Sequence, residues 1–318
     1  MTISYYGKTY NAYKAALHTH STTSPDALFP PQELIRLYKE QGYQVLAFTD
    51  HRATNDVSRL DAMGMTLISG MEVHPMGPRG KIWHIVALNV PADFPHPDPL
   101  RPVQEAIDKV IAAGGVCIYP HPYWSGNTID EIASLKHLSG IEVYNSATRD
   151  IGREYGMAQW DDLSERGLLY PATAVDDVHH VWDLFRGWTN ILAENSDLPS
   201  IMEALRAGRF YASQGPSFKR LSYENGVFEA EFTPCVSVIC VSSPRAGAAV
   251  TFPDQQGPGT GTREITSCSI PIQFENTPSW FRLQIRDAEG RYAWSNPIKL
   301  ETRKKQHEQL PIGNRVQA

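Results

Sequence analysis

The feature that most constrains the fold is a pattern repeated over residues 1–215. A short apolar segment ends in a histidine or carboxylate residue, and a segment with helical spacing follows it, as in YQVLAFTDH, VCIYPHP and PPQELIRLYKEQG. Strands that alternate with helices predict a largely parallel sheet flanked by helices. In a parallel α/β barrel the carboxyl ends of all strands meet on one face. We therefore expect polar residues far apart in the sequence to share one site.

The polar residues at these strand ends are imidazoles and carboxylates, with cysteine absent from the set. They are His18, His20, Asp50, His51, Glu72, His121, Glu142, Asp177 and His179, with the amide of Asn145 beside them. Buried groups of this kind are costly unless they are paired or coordinated. Mixed imidazole and carboxylate ligands suit Zn, Mn or Fe(II) and argue against a structural thiolate zinc site. Because one ion cannot use so many ligands, the pattern predicts two or three divalent metal ions.

The segment AVDDVHH offers two aspartates and two histidines for one Asp-x-His pair. Side chains alternate across a strand, so Asp177 and His179 would share one face while Asp176, Val178 and His180 would share the other. Val178 suits a helix-facing side, which directs Asp177 and His179 to the site. An alternative is that His180 has left the strand and turns back to contact substrate.

Composition narrows the classes of partner. The chain has 29 Lys and Arg against 35 Asp and Glu, a net charge of −6, and no basic run. This argues against a broad nucleic-acid surface or an anionic membrane surface, although a nucleotide or short oligonucleotide substrate stays open. A metal site supplies local positive charge, so we expect a small anionic substrate. Four cysteines without a Cys-x-x-Cys motif, and no long apolar run, predict a cytoplasmic protein; no feature indicates an oligomeric state.

Seven segments in this order resemble the polymerase-and-histidinol-phosphatase (PHP) superfamily of metal-dependent hydrolases: LHTHSTTSPD, FTDH, GMEV, HIVALN, YPHP, IEVYN and VDDVH. Two later segments, ILAENSDLPSIMEALRAGRFYASQGP and RDAEGRYAWSNPIKL, resemble its carbaryl-hydrolase-like branch, whose members append a small β domain. The resemblance implies an α/β fold, a distorted (βα)7 PHP barrel, with a dinuclear or trinuclear metal centre.

The resemblance also implies three groups of metal ligands that share one carboxylate. They are His18, His20, Glu72 and Asp177 in the first, Asp26, His51 and His179 in the second, and Glu72 with His84 and His121 in the third. Asp26 is the weakest match, because the family has Ser-Asp-Gly where this chain has Ser24-Pro25-Asp26-Ala27.

The chemistry implied is hydrolysis by a metal-bound hydroxide held by Glu72, Asp177 and His179. A phosphoesterase acting on a small phosphate ester is the first expectation (EC 3.1 type). A carbamate, ester or amide hydrolase on the same metal centre is the alternative within hydrolases. A metal-stabilised binding module is the alternative outside enzymes, although structural metal sites are normally saturated by protein ligands.

For several residues near the expected site, the sequence allows two interpretations of their role. Arg52 and Arg149 would bind a substrate anion or form surface salt bridges, and Tyr123, with the adjacent Trp124, would line the pocket or simply pack. Asp50 precedes a ligand and is expected to orient its surroundings rather than to coordinate. Glu142 and Asn145 would orient a ligand or substrate, or only satisfy strand ends.

His74 lies two positions past Glu72, on the same face if the strand continues. We expect Pro75 to end the strand, so His74 is not assigned as a ligand.

After residue 216 the pattern changes to short β-rich runs with turn signals such as ENG and AEG. We therefore expect a metal-dependent hydrolase domain at 1–216, a small antiparallel β-sandwich at 217–302 and a disordered tail at 303–318. The segment at 251–262 is rich in Gly and Pro without a P-loop lysine pattern, so it is expected to be a loop.

Overall fold

The computed structural model describes residues 1–243, 246–253, 263–272 and 279–300. The tail expected at 303–318 and most of the loop expected at 251–262 lie outside the described residues. Among the residues described, no helix is both long enough and apolar enough to cross a membrane. All four cysteines are described, and each is a free thiol.

The first part of the chain alternates strands and helices, as the sequence predicts. Its strands are β1 (Thr2–Tyr5), β2 (Lys8–Ala16), β3 (Val45–Phe48), β4 (Thr66–Val73), β5 (Ile85–Leu88), β6 (Val116–Tyr119), β7 (Leu138–Asn145), β8 (Ala172–Val175), β9 (Trp188–Ala193) and β10 (Phe210–Ser213). Its helices are α1 (Pro31–Glu40), α2 (Val103–Ala112), α3 (Pro122–Ser125), α4 (Ile129–Ala133), α5 (Met157–Glu165) and α6 (Leu198–Arg206).

Helix α1 illustrates how the sequence sets these elements. Pro31 occupies the first helical position, where its missing N–H costs nothing. Leu34 and Tyr38 follow at helical spacing and are fully buried against the sheet. Gly42, with φ of 74°, adopts the left-handed conformation just after the helix end. The adjacent strand β3 is buried at all four positions, as expected for a strand covered on both faces.

From β2 to β8, the sheet that carries the expected site is parallel except at β5. Strands β2, β3 and β4 pair in parallel, as do β6, β7 and β8. Strand β5 runs antiparallel to both β4 and β6. A parallel backbone bridge between Thr19 and Val178 joins the segments that follow β2 and β8.

This topology places the strand-end residues at one edge. Each of four residues comes two positions after the end of a strand: His18 after β2, Asp50 after β3, His121 after β6 and Asp177 after β8. Glu72 is the last residue but one of β4. Because β5 is antiparallel, it begins where β4 ends, and His84 just before its start reaches the same edge. The carboxyl ends of parallel strands are the usual location of active sites in such folds.

The second part is antiparallel within itself, as the sequence predicts. Its strands are β11 (Phe218–Glu224), β12 (Val227–Cys235), β13 (Ser237–Ser242), β14 (Gly247–Thr251), β15 (Ile265–Pro271), β16 (Trp280–Arg286), β17 (Tyr292–Trp294) and β18 (Ile298–Lys299). Strand β12 pairs with β11 and β15, β13 pairs with β14 and β16, and β16 pairs with β17 and β18.

The two parts share backbone hydrogen bonds and a core. Strand β11 pairs with β1, and β17 pairs with β10. The buried guanidinium of Arg282 donates to both carboxylate oxygens of Asp161, at 3.0 and 3.1 Å, and lies over the ring of Trp160. Trp294 packs in the same core cluster as Trp160. The second part is therefore fixed on the first by a buried ion pair and by apolar contact.

Candidate metal centre

Asp177 reaches the centre through an unusual backbone conformation. Strand β8 ends at Val175, and Asp177 has φ of +51°, in the left-handed region that non-glycine residues seldom adopt. Asp177 therefore faces the centre as expected, but the cause is this backbone turn and not the side-chain alternation of a strand over 176–180. Asp176 points away from the centre and accepts hydrogen bonds from the Tyr38 hydroxyl and from the backbone N–H groups of 185–187.

The first group of converging atoms surrounds Oδ1 of Asp177. Nε2 of His18 lies 3.1 Å and Nε2 of His20 lies 3.0 Å from this oxygen, and the two nitrogens lie 3.1 Å apart. Both imidazoles are fully buried. Oδ1 of Asp177 is also buried and, while neither Nε2 carries a proton, accepts no hydrogen bond from any described residue. A buried carboxylate oxygen without a donor is costly, so this atom points to an additional partner at the centre.

The other ring nitrogens show which atoms of these histidines face the centre. Nδ1 of His18 lies 2.7 Å from Oε1 of Glu142, a carboxylate oxygen that only accepts. Nδ1 of His20 lies 3.1 Å from Oγ of Ser24, whose hydroxyl proton is donated to Asp50. Both Nδ1 atoms therefore carry protons, and each ring in its neutral form presents the lone pair of Nε2 to the centre. Two lone pairs and a carboxylate oxygen at 3.0–3.1 Å repel one another unless a cation lies between them, which fits a metal ion.

The electrostatics of this group favour a cation. Burial alone lowers the pKa of His18, but the charges of Asp177, Glu142 and Glu72 outweigh burial and raise the pKa to about 10. Burial lowers the pKa of His20 to about 3, so that ring stays neutral. The carboxylates thus favour a positive charge beside Nε2 of His18, either a proton in the ion-free chain or a metal ion in its place.

Glu72 is the carboxylate that the groups share. Its Oε1 lies 2.8 Å from Nδ1 of His84, 3.2 Å from Nε2 of His121 and 3.6 Å from Nε2 of His18. Its Oε2 lies 2.7 Å from Nδ1 of His51. Burial would raise the pKa of Glu72, but the surrounding imidazoles hold it well below its usual range. The residue is therefore an anion in a fully buried position.

His121, like Asp177, has a left-handed backbone, with φ of 30°, where the chain turns from β6 into α3. Its Nδ1 lies 3.0 Å from the hydroxyl of Ser125, and its Nε2 faces Glu72. Non-glycine residues in this conformation concentrate at functional sites.

The remaining group consists of Asp26, His51 and His179 and includes the ligand most exposed to solvent. Nε2 of His179 lies 3.3 Å from Nε2 of His51, and Oδ2 of Asp26 lies 3.3 Å from the same His51 nitrogen and 3.9 Å from His179. Nδ1 of His179 donates to the carbonyl of Asp177, so its Nε2 is also a free lone pair. Asp26 is 55% exposed and is the most accessible of these side chains.

The structure thus brings all nine residues expected as ligands to one edge of the sheet. Three combinations, each with ligand atoms within 4.8 Å of one another, reproduce most of the expected grouping: His18 with His20 and Glu72; Glu72 with His84 and His121; His20 with His51 and His179. His20 belongs to the first and third of these combinations, and Glu72 belongs to the first and second; a fourth combination joins Glu72 with His51 and His74. The arrangement can hold divalent ions through imidazole and carboxylate donors.

His74 is the residue that sequence reasoning left out. Its Nε2 lies 3.2 Å from Oε2 of Glu72 and 3.1 Å from Nδ1 of His51. Strand β4 does end at Val73, but His74 keeps the side of the sheet that Glu72 occupies, as the two-residue spacing indicated. Nε of Arg52 donates to Nδ1 of His74 at 3.0 Å, which places the imidazole proton on Nε2. His74 therefore donates to Glu72 and orients it.

Asp50 and Glu142 position the ligands by hydrogen bonds on the side away from the centre. The carboxylate of Asp50 accepts hydrogen bonds from the backbone N–H and hydroxyl groups of both Ser21 and Ser24. Oε2 of Glu142 accepts from the backbone N–H of His121 and from the amide of Asn145, which also donates to Asp177. Residues of this kind fix the orientation and tautomer of metal-binding side chains.

Above these groups lies a cavity of about 320 Å³. Besides the ligand side chains, its walls are formed by Trp124, Ala147, Thr148, Asp150, His180, Trp182 and Asp183. His180 therefore does turn back to the cavity, as the alternative reading proposed.

The three residues expected to bind substrate, all of them described, do not line this cavity. Arg52 is held by His74, Arg149 donates to the carbonyl of Trp182, and the exposed ring of Tyr123 lies beside Arg153. Local hydrogen bonds and a cation–π contact direct these side chains elsewhere. Trp124, next to Tyr123, lines the cavity instead.

Known proteins share both sequence and fold with this chain. Residues 16–113 match the PHP domain family. An uncharacterized protein of Methanocaldococcus jannaschii is 31% identical over 156 residues, which span 43% of this chain and 84% of that protein.

Two solved structures align with this chain. A two-domain protein of Bacteroides vulgatus, described as containing a predicted PHP-like metal-dependent phosphoesterase, aligns with a TM-score of 0.50 and 16% identity over 92% of this chain and 96% of its own. An amidohydrolase of Chromobacterium violaceum, solved with sulfate and no metal, aligns with a TM-score of 0.43 and 17% identity over 62% of this chain and 96% of its own.

Proposed function

Because the chain belongs to the PHP domain family, we propose that it is a metal-dependent hydrolase, and specifically a phosphoesterase that acts on a small phosphate ester at a centre of two or three divalent ions. The observation that carries the proposal is the convergence of nine imidazole and carboxylate ligands, Glu72 among them, at one edge of the sheet, with a buried Asp177 oxygen directed at the neutral rings of His18 and His20. Ligands spread over several ions leave open positions, as catalytic rather than structural metal sites do.

The ligand groups suit an anionic substrate. When bound, divalent ions supply positive charge that polarises a phosphoryl oxygen and lowers the pKa of a water molecule. The ligands bring three carboxylates (Asp26, Glu72 and Asp177), which carry less charge than two divalent ions, and otherwise neutral imidazoles. Open coordination positions on the loaded ions would then present positive charge to a substrate anion. Such a centre attracts a phosphate group without help from lysine or arginine.

The side chains of the centre have distinct roles in this proposal. Glu72, Asp177 and His179 lie where a water molecule would be held against the substrate, since all three also line the open cavity. Glu142 and Asp50 would keep His18 and His20 in the tautomers that present Nε2. We also infer a distorted seven-stranded barrel from β2 to β8, supported by their consecutive pairing and the bridge between Thr19 and Val178.

A second candidate is hydrolysis of a carbamate, ester or amide on the same centre. The observation that favours it is the cavity wall, which contains two tryptophans and, among the described residues, neither lysine nor arginine. An uncharged acyl substrate needs no cationic side chain for binding, and aromatic walls suit it. In either case we propose a small-molecule substrate and a cytoplasmic location.

The test is hydrolysis by protein stripped of metal and then reloaded with Mn, Zn or Fe(II). The substrates are p-nitrophenyl phosphate, bis-p-nitrophenyl phosphate, an aryl carbamate and an aryl acetate. We expect phosphate esters to be hydrolysed by the reloaded protein alone. His20→Asn should abolish the activity, whereas His137→Asn, which removes an exposed imidazole far from the centre, should not.

Hydrolysis of the carbamate or acetate without the phosphates would favour the second candidate. Full activity of metal-free protein would contradict both candidates.

A further inference from the structure

Two large aromatic side chains are exposed in the cavity wall. Trp124 is 41% and Trp182 is 54% exposed, and both line the cavity over the ligand groups. Tryptophan is usually largely buried, since its ring contributes much apolar area. Two exposed tryptophans at one cavity indicate a surface that a ligand covers.

Contacts with neighbouring residues fix the position of Trp182. Its ring stacks on that of His180, with centroids 4.4 Å apart and an angle of 5° between the planes. Nη2 of Arg149 donates to the carbonyl of Trp182 at 3.0 Å, and Asp183 accepts from the backbone N–H groups of His179 and His180. These contacts order the segment after β8 before any ligand binds. A preordered aromatic face loses little conformational entropy on binding.

Trp124 belongs to a different segment, after β6, and lies close to the ligand groups. Its ring centroid is 4.8 Å from that of His121 and 5.3 Å from that of His84. Strand β7 pairs with both β6 and β8, so the segment after β7, with Thr148 and Asp150, lies between the two tryptophan segments. The cavity is thus bordered by aromatic faces beside the centre and by polar groups between them.

The charges of the wall restrict what these faces bind. Besides the ligand carboxylates Asp26, Glu72 and Asp177, the cavity is lined by Asp150 and Asp183, and its described lining includes no lysine or arginine. A second anionic group beyond the reacting one would meet Asp150 and Asp183 without a cation to balance them. A planar group without negative charge meets no such penalty and gains stacking contact.

We propose that Trp124 and Trp182 form a leaving-group subsite for an aromatic ring without negative charge, so that the substrates are aryl esters rather than sugar phosphates or polyphosphates. This inference rests on the proposed function, because it places the reacting group at the metal centre. It adds the chemical class of the group that leaves. The specificity would then reside in two loops, while the ligand groups hold the reacting group.

The test compares two non-hydrolysable ligands, phenylphosphonate and methylphosphonate, by calorimetric titration of the metal-reloaded full chain. Both present the same phosphonate to the centre and differ in the ring. We expect wild type to bind phenylphosphonate about tenfold more tightly, and Trp182→Ala to remove most of that preference while leaving methylphosphonate binding within about twofold. Trp182→Leu should behave like the alanine variant, because stacking needs an aromatic face. Trp124→Ala should weaken phenylphosphonate in the same direction.

Val181→Ala is the matched control, since Val181 is 65% exposed beside Trp182 and does not line the cavity. It should change neither affinity. Equal binding of the two ligands by wild type, absence of binding, full recovery by leucine, or parallel loss of both ligands in Trp182→Ala would each contradict the subsite. A failure of the proposed function is separate: it would appear as no hydrolysis of any phosphate ester by reloaded wild type.

Discussion

Nδ1 of His18 and Oε1 of Glu142 lie 2.7 Å apart, and both side chains are buried at the centre of the ligand groups. The carboxylate fixes the ring so that its Nε2 faces Asp177. Oε2 of the same carboxylate accepts from the backbone N–H of His121, a second ligand. One buried glutamate therefore orients ligands from two strands.

Replacing Glu142 should weaken metal binding without removing a ligand. In Glu142→Gln the side chain is neutral. Its NH₂ group would also replace one carboxylate oxygen and face donors that this oxygen now accepts from. We expect the affinity for Zn or Mn to fall by roughly 10–100-fold. Competition with a metal-binding dye measures this. Glu203→Gln, at an exposed position of α6, is the control and should bind metal as wild type does. Equal affinity of both variants would contradict the role of Glu142.

The sequence predicted the convergence of these residues because it depends on topology alone. Strand–helix alternation places the residues after β2, β3, β6 and β8 at one edge of a parallel sheet, whatever the details of each turn. The orienting role of Glu142 stayed open, because a polar residue in a strand looks the same in sequence whether it supports a ligand or only satisfies backbone groups.

The two adjacent aspartates should respond differently to the same substitution. Asp177→Asn removes charge and a donor atom from the first ligand group, so bound metal and activity should both fall by orders of magnitude. Asp176→Asn should keep its metal, because its carboxylate faces Tyr38 and three backbone N–H groups instead. The NH₂ group of the new asparagine side chain in this variant would face the Tyr38 hydroxyl or the backbone N–H groups. This lowers the free energy of unfolding by about 1–3 kcal/mol.

Metal content by mass spectrometry and denaturant unfolding separate the two effects. Loss of metal from Asp176→Asn with full retention in Asp177→Asn would reverse the assignment.

His74 should prove to be a positioning residue and not a ligand. We expect His74→Ala to retain the wild-type number of ions per chain, because the proton on Nε2 is donated to Glu72. Metal affinity should fall about tenfold, as expected for loss of a group that orients a ligand. His96→Ala is a nearby control, since Nε2 of His96 accepts only from the backbone N–H of His74. If His74→Ala loses one ion per chain, His74 is a ligand.

The residues around the cavity were harder to predict from sequence, for a physical reason. Arg52, Arg149 and Tyr123 follow strand ends, as substrate-binding residues often do. Their side chains are long, and local partners such as His74 and the Trp182 carbonyl decide where they point. Sequence position fixes the backbone edge on which such a residue lies but leaves its rotamer open.

The most direct test of the central claim is the metal content of purified protein, measured by elemental mass spectrometry before and after chelation and compared with that of a variant lacking the shared carboxylate, Glu72→Gln. We expect on the order of two to three divalent ions per chain in wild type, and a loss of most of them in the variant, because Glu72 contacts ligands of every group. Fewer than about one ion per chain in wild type after loading with Zn or Mn, or an unchanged content in Glu72→Gln, would contradict it.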